Sequence, residues 1–212
     1  LPVARKLIGE GAIGRVLELR GRGKEDHRGG GLDLWVLGSH VMNLATYFGG
    51  RPVSCSAQMY QGSKLTRPED IVQGAEGVGP IAGDRMHARF EMESGVPYHF
   101  DSIRNAGVRE AGFGLQIIGT KGVIDLRVDE EPLVHLLPGN PFQPVSNARN
   151  WQPITTAGVD KPEPIAALAA LVGAHRLPAR DLITAIRENR EPLCGPEEGR
   201  TTVEMIMAVF AS

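Results

Sequence analysis

The sequence Gly-Gly-Gly-Leu-Asp-Leu-Trp-Val-Leu-Gly-Ser-His at residues 29–40 joins a glycine-rich turn to an amphipathic helix that carries a histidine. At about 100° per residue, one stripe of this helix is apolar: Leu34, Leu37, Val41, Leu44, Ala45 and Phe48. A second stripe beside it is polar: Asp33, His40, Asn43 and Tyr47. A carboxylate, an imidazole, an amide and a phenol all form hydrogen bonds. This row of side chains therefore suits the wall of a pocket for a hydroxylated molecule.

The composition is that of a globular protein. The chain has 212 residues, 42% of them hydrophobic and 23% charged, and we expect one domain over residues 1–212. A formal net charge of -2 argues against a nucleic-acid partner or an anionic membrane surface. No apolar run approaches the roughly 20 residues of a membrane span. The histidines and the two cysteines have no metal-ligand spacing, so no metal site is expected.

The two ends of the sequence suggest a segment of a longer polypeptide. A helical pattern begins at residue 1 without a capping residue, and the last helical pattern ends without a terminating glycine. We therefore expect further sequence beyond these ends. The residues do not identify the cellular compartment. The cytoplasm is the expectation for a soluble chain without a visible signal peptide.

Periodicity predicts an α+β domain with a mostly antiparallel sheet. Helices are predicted at residues 2–10, 32–48, 165–174 and 179–189, and from residue 196 onward. Strands are predicted at residues 15–22, 52–60, 86–93, 96–104, 114–119, 123–128 and 133–137. Residues 61–83 show little periodicity and are predicted as a long loop. Helices at both ends with strands between them favour an antiparallel sheet.

Residues 9–14 read Gly-Glu-Gly-Ala-Ile-Gly and match the dinucleotide fingerprint letter for letter. That fingerprint needs a strand before it and a helix after it, so that the pyrophosphate meets the helix N-terminus. Here the predicted order is reversed. We therefore expect a helix C-terminus and a tight turn at this place, and no cofactor-binding residues in this chain.

His40 is the candidate catalytic residue, because imidazole is the commonest general acid or base near neutral pH. The alternative is a structural histidine bound to a backbone carbonyl. Asp33 lies two helical turns earlier, about 10 Å along the axis, and is predicted to border the same pocket. Val36, one turn before His40, occupies the place of a carboxylate that could orient the ring.

Four further residues are candidates for substrate binding. Lys24 and Asp26 precede the glycines in a polar loop and could bind a sugar-like ligand, although a solvated charge run is the simpler interpretation. Asn43 follows His40 on the polar stripe. Arg104 ends a predicted strand, where cross-strand pairing on the surface is the alternative.

Several short motifs occur in a characteristic order. They are Gly11-Ala12-Ile13-Gly14, Gly29-Gly30-Gly31, Gly38-x-His40, Pro52-Val53, the stretch from Asp181 to Pro192, and Gly199-Arg200. This order resembles the Gfo/Idh/MocA oxidoreductases, a family named after glucose-fructose oxidoreductase, inositol dehydrogenase and a rhizopine-catabolism protein. The resemblance extends over nearly the whole chain and implies the C-terminal half of a two-domain enzyme.

The resemblance implies a fold, a cofactor and partners. It implies an open-faced sheet with helices on one face, and a bare face that forms a homodimer or tetramer. An open sheet would also leave apolar surface that needs such a partner. NAD or NADP would be bound by an N-terminal Rossmann domain that has no counterpart in this chain, and a sugar, inositol or related polyol would lie between the domains. The family's Asp-x-x-x-His pair falls on Val36 and His40.

The replacement of that aspartate by Val36 leaves other functions open. An imidazole without its carboxylate is less well oriented and less basic. A non-catalytic binding or assembly module of the same fold is therefore the alternative to an oxidoreductase. A lyase or hydrolase route through a transient oxidation of the sugar is a third possibility. In each case the chain by itself is expected to be inactive.

Overall fold

The computed structural model describes residues 1–106, 113–128, 131–145 and 147–212, and the structural statements below refer to these residues. Its largest element is a ten-stranded sheet. The strands are β1 (Val16–Arg22), β2 (Pro52–Gln61), β3 (Lys64–Leu65), β6 (Arg85–Met92), β7 (Pro97–Ile103), β8 (Gly114–Gly119), β9 (Gly122–Arg127), β10 (Val134–Pro138), β11 (Gln152–Thr155) and β12 (Gly158–Val159). They lie side by side in the order β12-β11-β10-β9-β8-β1-β7-β6-β2-β3. Every neighbouring pair is antiparallel except β1 and β7, which are parallel. The predicted fold class is confirmed.

Six α-helical segments accompany the sheet. They are α1 (Pro2–Gly9), α2 (Gly31–Asp33), α3 (Ser39–Gly49), α4 (Leu168–Gly173), α5 (Arg176–Glu188) and α6 (Pro196–Ala211). A π-helical turn at Leu34–Gly38 joins α2 to α3. Helix α3 lies against β1, β7 and β8, and α6 lies against β2 and α3. These contacts place the hydrophobic core between one face of the sheet and the two helices.

The hairpin of β6 and β7 shows how the sequence separates the two faces of the sheet. Met86 and Phe90 of β6 are fully buried, as are Tyr98 and Phe100 of β7. Because side chains alternate between faces along a strand, the residues between them point away from the helices. This alternation confirms the predicted hairpin, whose turn contains Ser94.

The predicted long loop at residues 61–83 is shorter than expected, because it contains structure of its own. Strand β3 turns back after β2 and pairs with it in the antiparallel direction. Strand β4 (Val72–Gln73) pairs with β5 (Pro80–Ile81). Two 3₁₀ turns, Pro68–Asp70 and Ala75–Gly77, lie among them. Strands of two residues are too short to show a period of two, so the pattern could not reveal them.

The uncovered face of the central strands is charged, which corrects the expected apolar surface. His87 of β6 bonds Asp101 of β7 with 2.5 Å between Nδ1 and Oδ1. Glu18 of β1 pairs with Arg20 at 3.0 Å and lies 3.8 Å from His99. Exposed apolar side chains lie elsewhere, several of them on and after α5: Leu177, Leu182, Ile183, Ile186 and Leu193.

Candidate functional site

The glycines at 29–31 allow the chain to approach the sheet backbone closely. A Cβ atom on Gly29 would lie 2.4 Å from the backbone nitrogen of Arg104, and one on Gly31 would lie 2.1 Å from the carbonyl oxygen of Ala82. Gly30 has a φ of 84°, which side chains other than glycine's rarely adopt. The three glycines therefore pack the start of the helix against the sheet.

The π turn changes which side chains share a face of the helix. A turn closed by an i to i+5 hydrogen bond holds one residue more than an α-helical turn. It therefore rotates the following residues by about 100° relative to an uninterrupted α-helix. Asp33, before the turn, is fully buried, whereas His40, after it, is exposed. The expectation that Asp33 and His40 border one pocket on the same stripe is therefore wrong.

His40 lies on the exposed side of α3. Within the described part of the chain, its imidazole makes no side-chain hydrogen bond or ion pair. Asn43 lies one turn further along, half-buried, at a spacing that places the two side chains side by side. Tyr47 follows at the next turn, with the guanidinium of Arg5 4.9 Å from its ring centroid.

Asp33 is engaged inside the protein. The hydroxyl of Ser102 on β7 donates a hydrogen bond to its Oδ2 at 2.6 Å, and the backbone N–H of Gly30 donates to that hydroxyl at 3.0 Å. Burial raises the pKa of Asp33 to about 6. Its carboxyl group thus faces β7, and it does not take the place of the carboxylate missing at Val36.

The loop at residues 23–30, the charged loop, is built around Asp26 and Arg28. The Arg28 guanidinium donates to both carboxylate oxygens of Asp26, with 3.1 Å between Nε and Oδ1. Hydrogen bonding from Arg28 lowers the pKa of Asp26 to about 2. The carbonyl oxygen of Asp26 accepts bonds from the backbone N–H groups of Gly29 and Asn105. Asp26 is therefore held in a fixed position just before the start of the helix.

Lys24 lies within the charged loop and Arg104 lies beside it; both are candidates for substrate binding. The Lys24 ammonium lies 5.7 Å from the ring centroid of Phe113. The Nε of Arg104 lies 3.4 Å from the carbonyl oxygen of Gly29, to which it donates. The structure therefore places Asp26 and Arg104 next to Gly29, before the start of the helix, while the Lys24 ammonium lies near the Phe113 ring. His40 lies nine residues beyond Gly31, roughly 13 Å along an α-helical axis.

Sequence reasoning missed Glu25 and Ser102. Glu25 is 1% exposed, with a φ of 56°, and it accepts hydrogen bonds from Arg22 Nε at 2.8 Å and from the backbone N–H of Ile103 at 3.0 Å. Burial raises the pKa of Glu25. No signal marks it, because it lies in a run of charged residues. Ser102 had a signal, since it is the polar residue at an inward position of β7.

The fingerprint at residues 9–14 does not fit a dinucleotide. It follows helix α1 and precedes strand β1, the reverse of the required order. A Cβ atom on Gly14 would lie 2.3 Å from the Thr120 hydroxyl, so this glycine packs against the turn between β8 and β9. The expected helix end and tight turn are confirmed, with φ values of 81° at Gly11 and 69° at Gly14.

Three clefts of the described structure, with volumes of about 620, 580 and 210 Å³, are lined by residues other than His40. The described residues hold no group of three or more His, Cys, Asp or Glu side chains placed for a metal ion. In the same part of the chain, no helix is long and apolar enough to cross a membrane. A pocket at His40 therefore needs another surface opposite α3.

A family model described as "Oxidoreductase family, C-terminal alpha/beta domain" matches residues 5–212. No curated protein matches the sequence. Among solved structures, levoglucosan dehydrogenase in complex with NADH and levoglucosan superposes with a TM-score of 0.65 at 21% identity. The superposition covers 99% of this chain and 60% of that one.

Two other solved structures agree. An NAD binding oxidoreductase from Klebsiella pneumoniae has a TM-score of 0.62 at 17% identity, over 100% of this chain and 60% of its own. An oxidoreductase from Agrobacterium radiobacter, in complex with NAD⁺, L-tartaric acid and magnesium, has a TM-score of 0.60 at 14% identity, over 100% and 58%. The TM-scores establish a shared fold, and at these low sequence identities they establish the fold alone. The chain spans about 60% of the length of these neighbours.

Proposed function

This chain belongs to the Gfo/Idh/MocA oxidoreductase family as its C-terminal alpha/beta domain, and from that premise we propose that it is the substrate-binding and oligomerisation domain of an NAD(P)-dependent oxidoreductase. The proposed substrate is a sugar, inositol or a related polyol. The observation that carries the proposal is the exposed imidazole of His40, which has no partner within the described residues and lies beside Asn43.

His40 is the proposed general acid or base. An imidazole that is free of internal hydrogen bonds can take a proton from a substrate hydroxyl or return one to a carbonyl oxygen. Asn43 carries an amide that both donates and accepts, so it can hold a neighbouring hydroxyl in place. Nicotinamide, when bound, supplies the hydride acceptor or donor, and we place its binding site outside this chain because residues 9–14 do not fit it.

The charged loop is the proposed second contact with the substrate. A carboxylate has roughly four acceptor positions, so Asp26 can accept a hydroxyl while Arg28 binds both of its oxygens. Lys24 within this loop and Arg104 beside it can also donate to sugar oxygens. His40 lies roughly 13 Å along the helix axis from Gly31, so only an extended substrate would contact both the charged loop and His40, with its second wall supplied by another domain.

Calorimetry of the full-length product of the reading frame with NAD and NADP tests the proposal. We expect one of them to bind, and its reduction to follow when a sugar or polyol is oxidised. Gly9→Ala is a matched variant, because an added Cβ meets nothing within 4 Å there. Cofactor affinity should stay within twofold in this variant. Absence of cofactor binding, or its loss in Gly9→Ala, would contradict the proposal.

Val36 supports a second candidate, a binding or assembly module without redox activity. It is half-buried in the π turn and supplies no carboxylate to His40. Such a module would bind a sugar without turnover and without cofactor reduction. The same calorimetry and absorbance measurements separate the two candidates.

The charged sheet face is the proposed interface between copies of this chain. Arg89 of β6 pairs with Glu91 on this face, so Arg89→Glu would place like charges against a two-fold partner. We expect the parent to be a homodimer or tetramer in light scattering at micromolar concentration, and Arg89→Glu to shift it toward monomer. Arg67→Glu is the control, because the Arg67–Glu69 pair lies outside the sheet. A monomeric parent would contradict the interface.

A further inference from the structure

The carboxyl group of Asp33 links the start of the helix to β7 by a chain of hydrogen bonds. The chain runs from the Gly30 backbone N–H to the Ser102 hydroxyl, and from that hydroxyl to Asp33 Oδ2. Asp33 is 0% exposed, and its Oδ1 has no hydrogen-bond partner among the described residues. A buried carboxylate with an unpaired oxygen is costly, because that oxygen has lost its hydrogen bonds to water.

Burial and two neighbouring carboxylates oppose the ionisation of Asp33. Burial is the largest cause of its raised pKa of about 6; the hydrogen bond from Ser102 comes next and lowers this pKa, the nearby carboxylates of Asp26 and Glu25 raise it, and Arg28 lowers it. Arg22 binds Glu25 rather than Asp33. The group that faces Asp33 from β7 is the uncharged Ser102. Below its raised pKa of about 6, the Asp33 carboxyl group is therefore protonated in the folded protein, chiefly because it is buried.

The π turn lies between two contacts with β7. Asp33, just before Leu34–Gly38, is bonded to Ser102. Gly38, the last residue of the turn, packs so closely that a Cβ atom would lie 2.8 Å from the Phe100 ring. π turns are rare interruptions of α-helices, so this one is expected to persist only where both of its ends are held.

We propose that Asp33 is a positioning residue for His40: the hydrogen bond from Ser102 to its carboxyl group holds the π turn and thereby sets the direction in which the imidazole leaves α3. Release of this contact lets the turn relax toward an α-helix, with a rotation of up to about 100° shared between its two ends. The role in turnover rests on the proposed function. The role in helix geometry does not.

The pH dependence of folding gives the first test. An aspartate whose pKa rises from 3.8 unfolded to about 6 folded stabilises the fold fully below pH 3.8, and this stabilisation is lost as the pH rises through 6. Asp33→Asn keeps the shape and an acceptor for Ser102 but cannot ionise. The folding equilibrium constant of Asp33→Asn, divided by that of the parent, is expected to rise roughly 50-fold between pH 4 and pH 7.

The backbone amides of the π turn give the second test. In a His40→Gln background, which removes the imidazole titration, the ¹H–¹⁵N signals of Leu37 and Gly38 are followed from pH 4 to 7. We expect them to shift through pH 6 with Asp33 present and to stay constant in Asp33→Asn. Ser102→Ala should displace them at every pH. Asp125→Asn, which removes another buried carboxylate, should leave the pH-dependent shift intact.

The outcomes separate this inference from the proposed function. The inference is overturned if the ratio of the folding equilibrium constants stays constant within twofold. It is also overturned if the ¹H–¹⁵N signals of Leu37 and Gly38 do not move in Ser102→Ala. If the amides respond, the pH profile of kcat in the full-length enzyme should change in Asp33→Asn while KM stays within about threefold. An unchanged profile in an active enzyme overturns the positioning role alone. If the amide signals respond as expected but the protein turns over no polyol, the proposed function is overturned. The role of Asp33 in helix geometry is then still supported.

Discussion

Alanine in place of His40 is expected to lower the turnover of the full-length protein by about 10²- to 10⁴-fold, the range typical for loss of a proton-transfer group. The imidazole is exposed and makes no hydrogen bond within the described residues, so its removal leaves the core intact. The free energy of unfolding should therefore change by less than about 0.5 kcal/mol. Initial rates with NAD or NADP and a polyol substrate give the measurement.

The kinetic constants distinguish chemistry from binding in this variant. Loss of the general acid or base lowers kcat, while KM changes little. His175→Asn is the matched control, because His175 is exposed at the start of α5 and its left-handed backbone tolerates asparagine. Turnover of His40→Ala within twofold of the parent would remove this residue from the mechanism.

Much of the sheet could be predicted because it obeys local rules. The alternation along β6 and β7 has a period of two, and glycines mark the short turn between β8 and β9. The parallel pairing of β1 with β7 had no such signal, since Leu19 and its partner Tyr98 lie far apart in the sequence. Local patterns do not report which distant strand becomes the neighbour.

The candidate site was predictable in part, for a related reason. The exposure of His40 follows from its place on the helix, because residues of an α-helix repeat at 3.6 per turn. The burial of Asp33 does not follow, since the π turn between them depends on Ser102 and Phe100 of a distant strand. The residues from Leu34 to Gly38 are compatible with an α-helical turn as well as with a π turn.

Alanine at Gly29 is expected to destabilise the protein by about 1–3 kcal/mol or more, the cost of overpacking a tight contact. Its Cβ atom would lie 2.4 Å from the backbone nitrogen of Arg104 and 2.5 Å from the carbonyl carbon of Ile103. Both atoms belong to the chain at the end of β7, which cannot yield without disturbing the sheet. Urea unfolding followed by the fluorescence of Trp35 and Trp151 measures the change, because Trp35 lies in the π turn.

Gly199→Ala is the matched control for Gly29→Ala, because it makes the same chemical change with the opposite expected sign. Gly199 lies exposed in the first part of α6, and an added Cβ meets nothing within 4 Å. Alanine there removes the helix penalty of glycine and should stabilise the protein by about 0.5–1 kcal/mol. If Gly29→Ala unfolds within 0.5 kcal/mol of the parent, the glycines at 29–31 are not required for close packing.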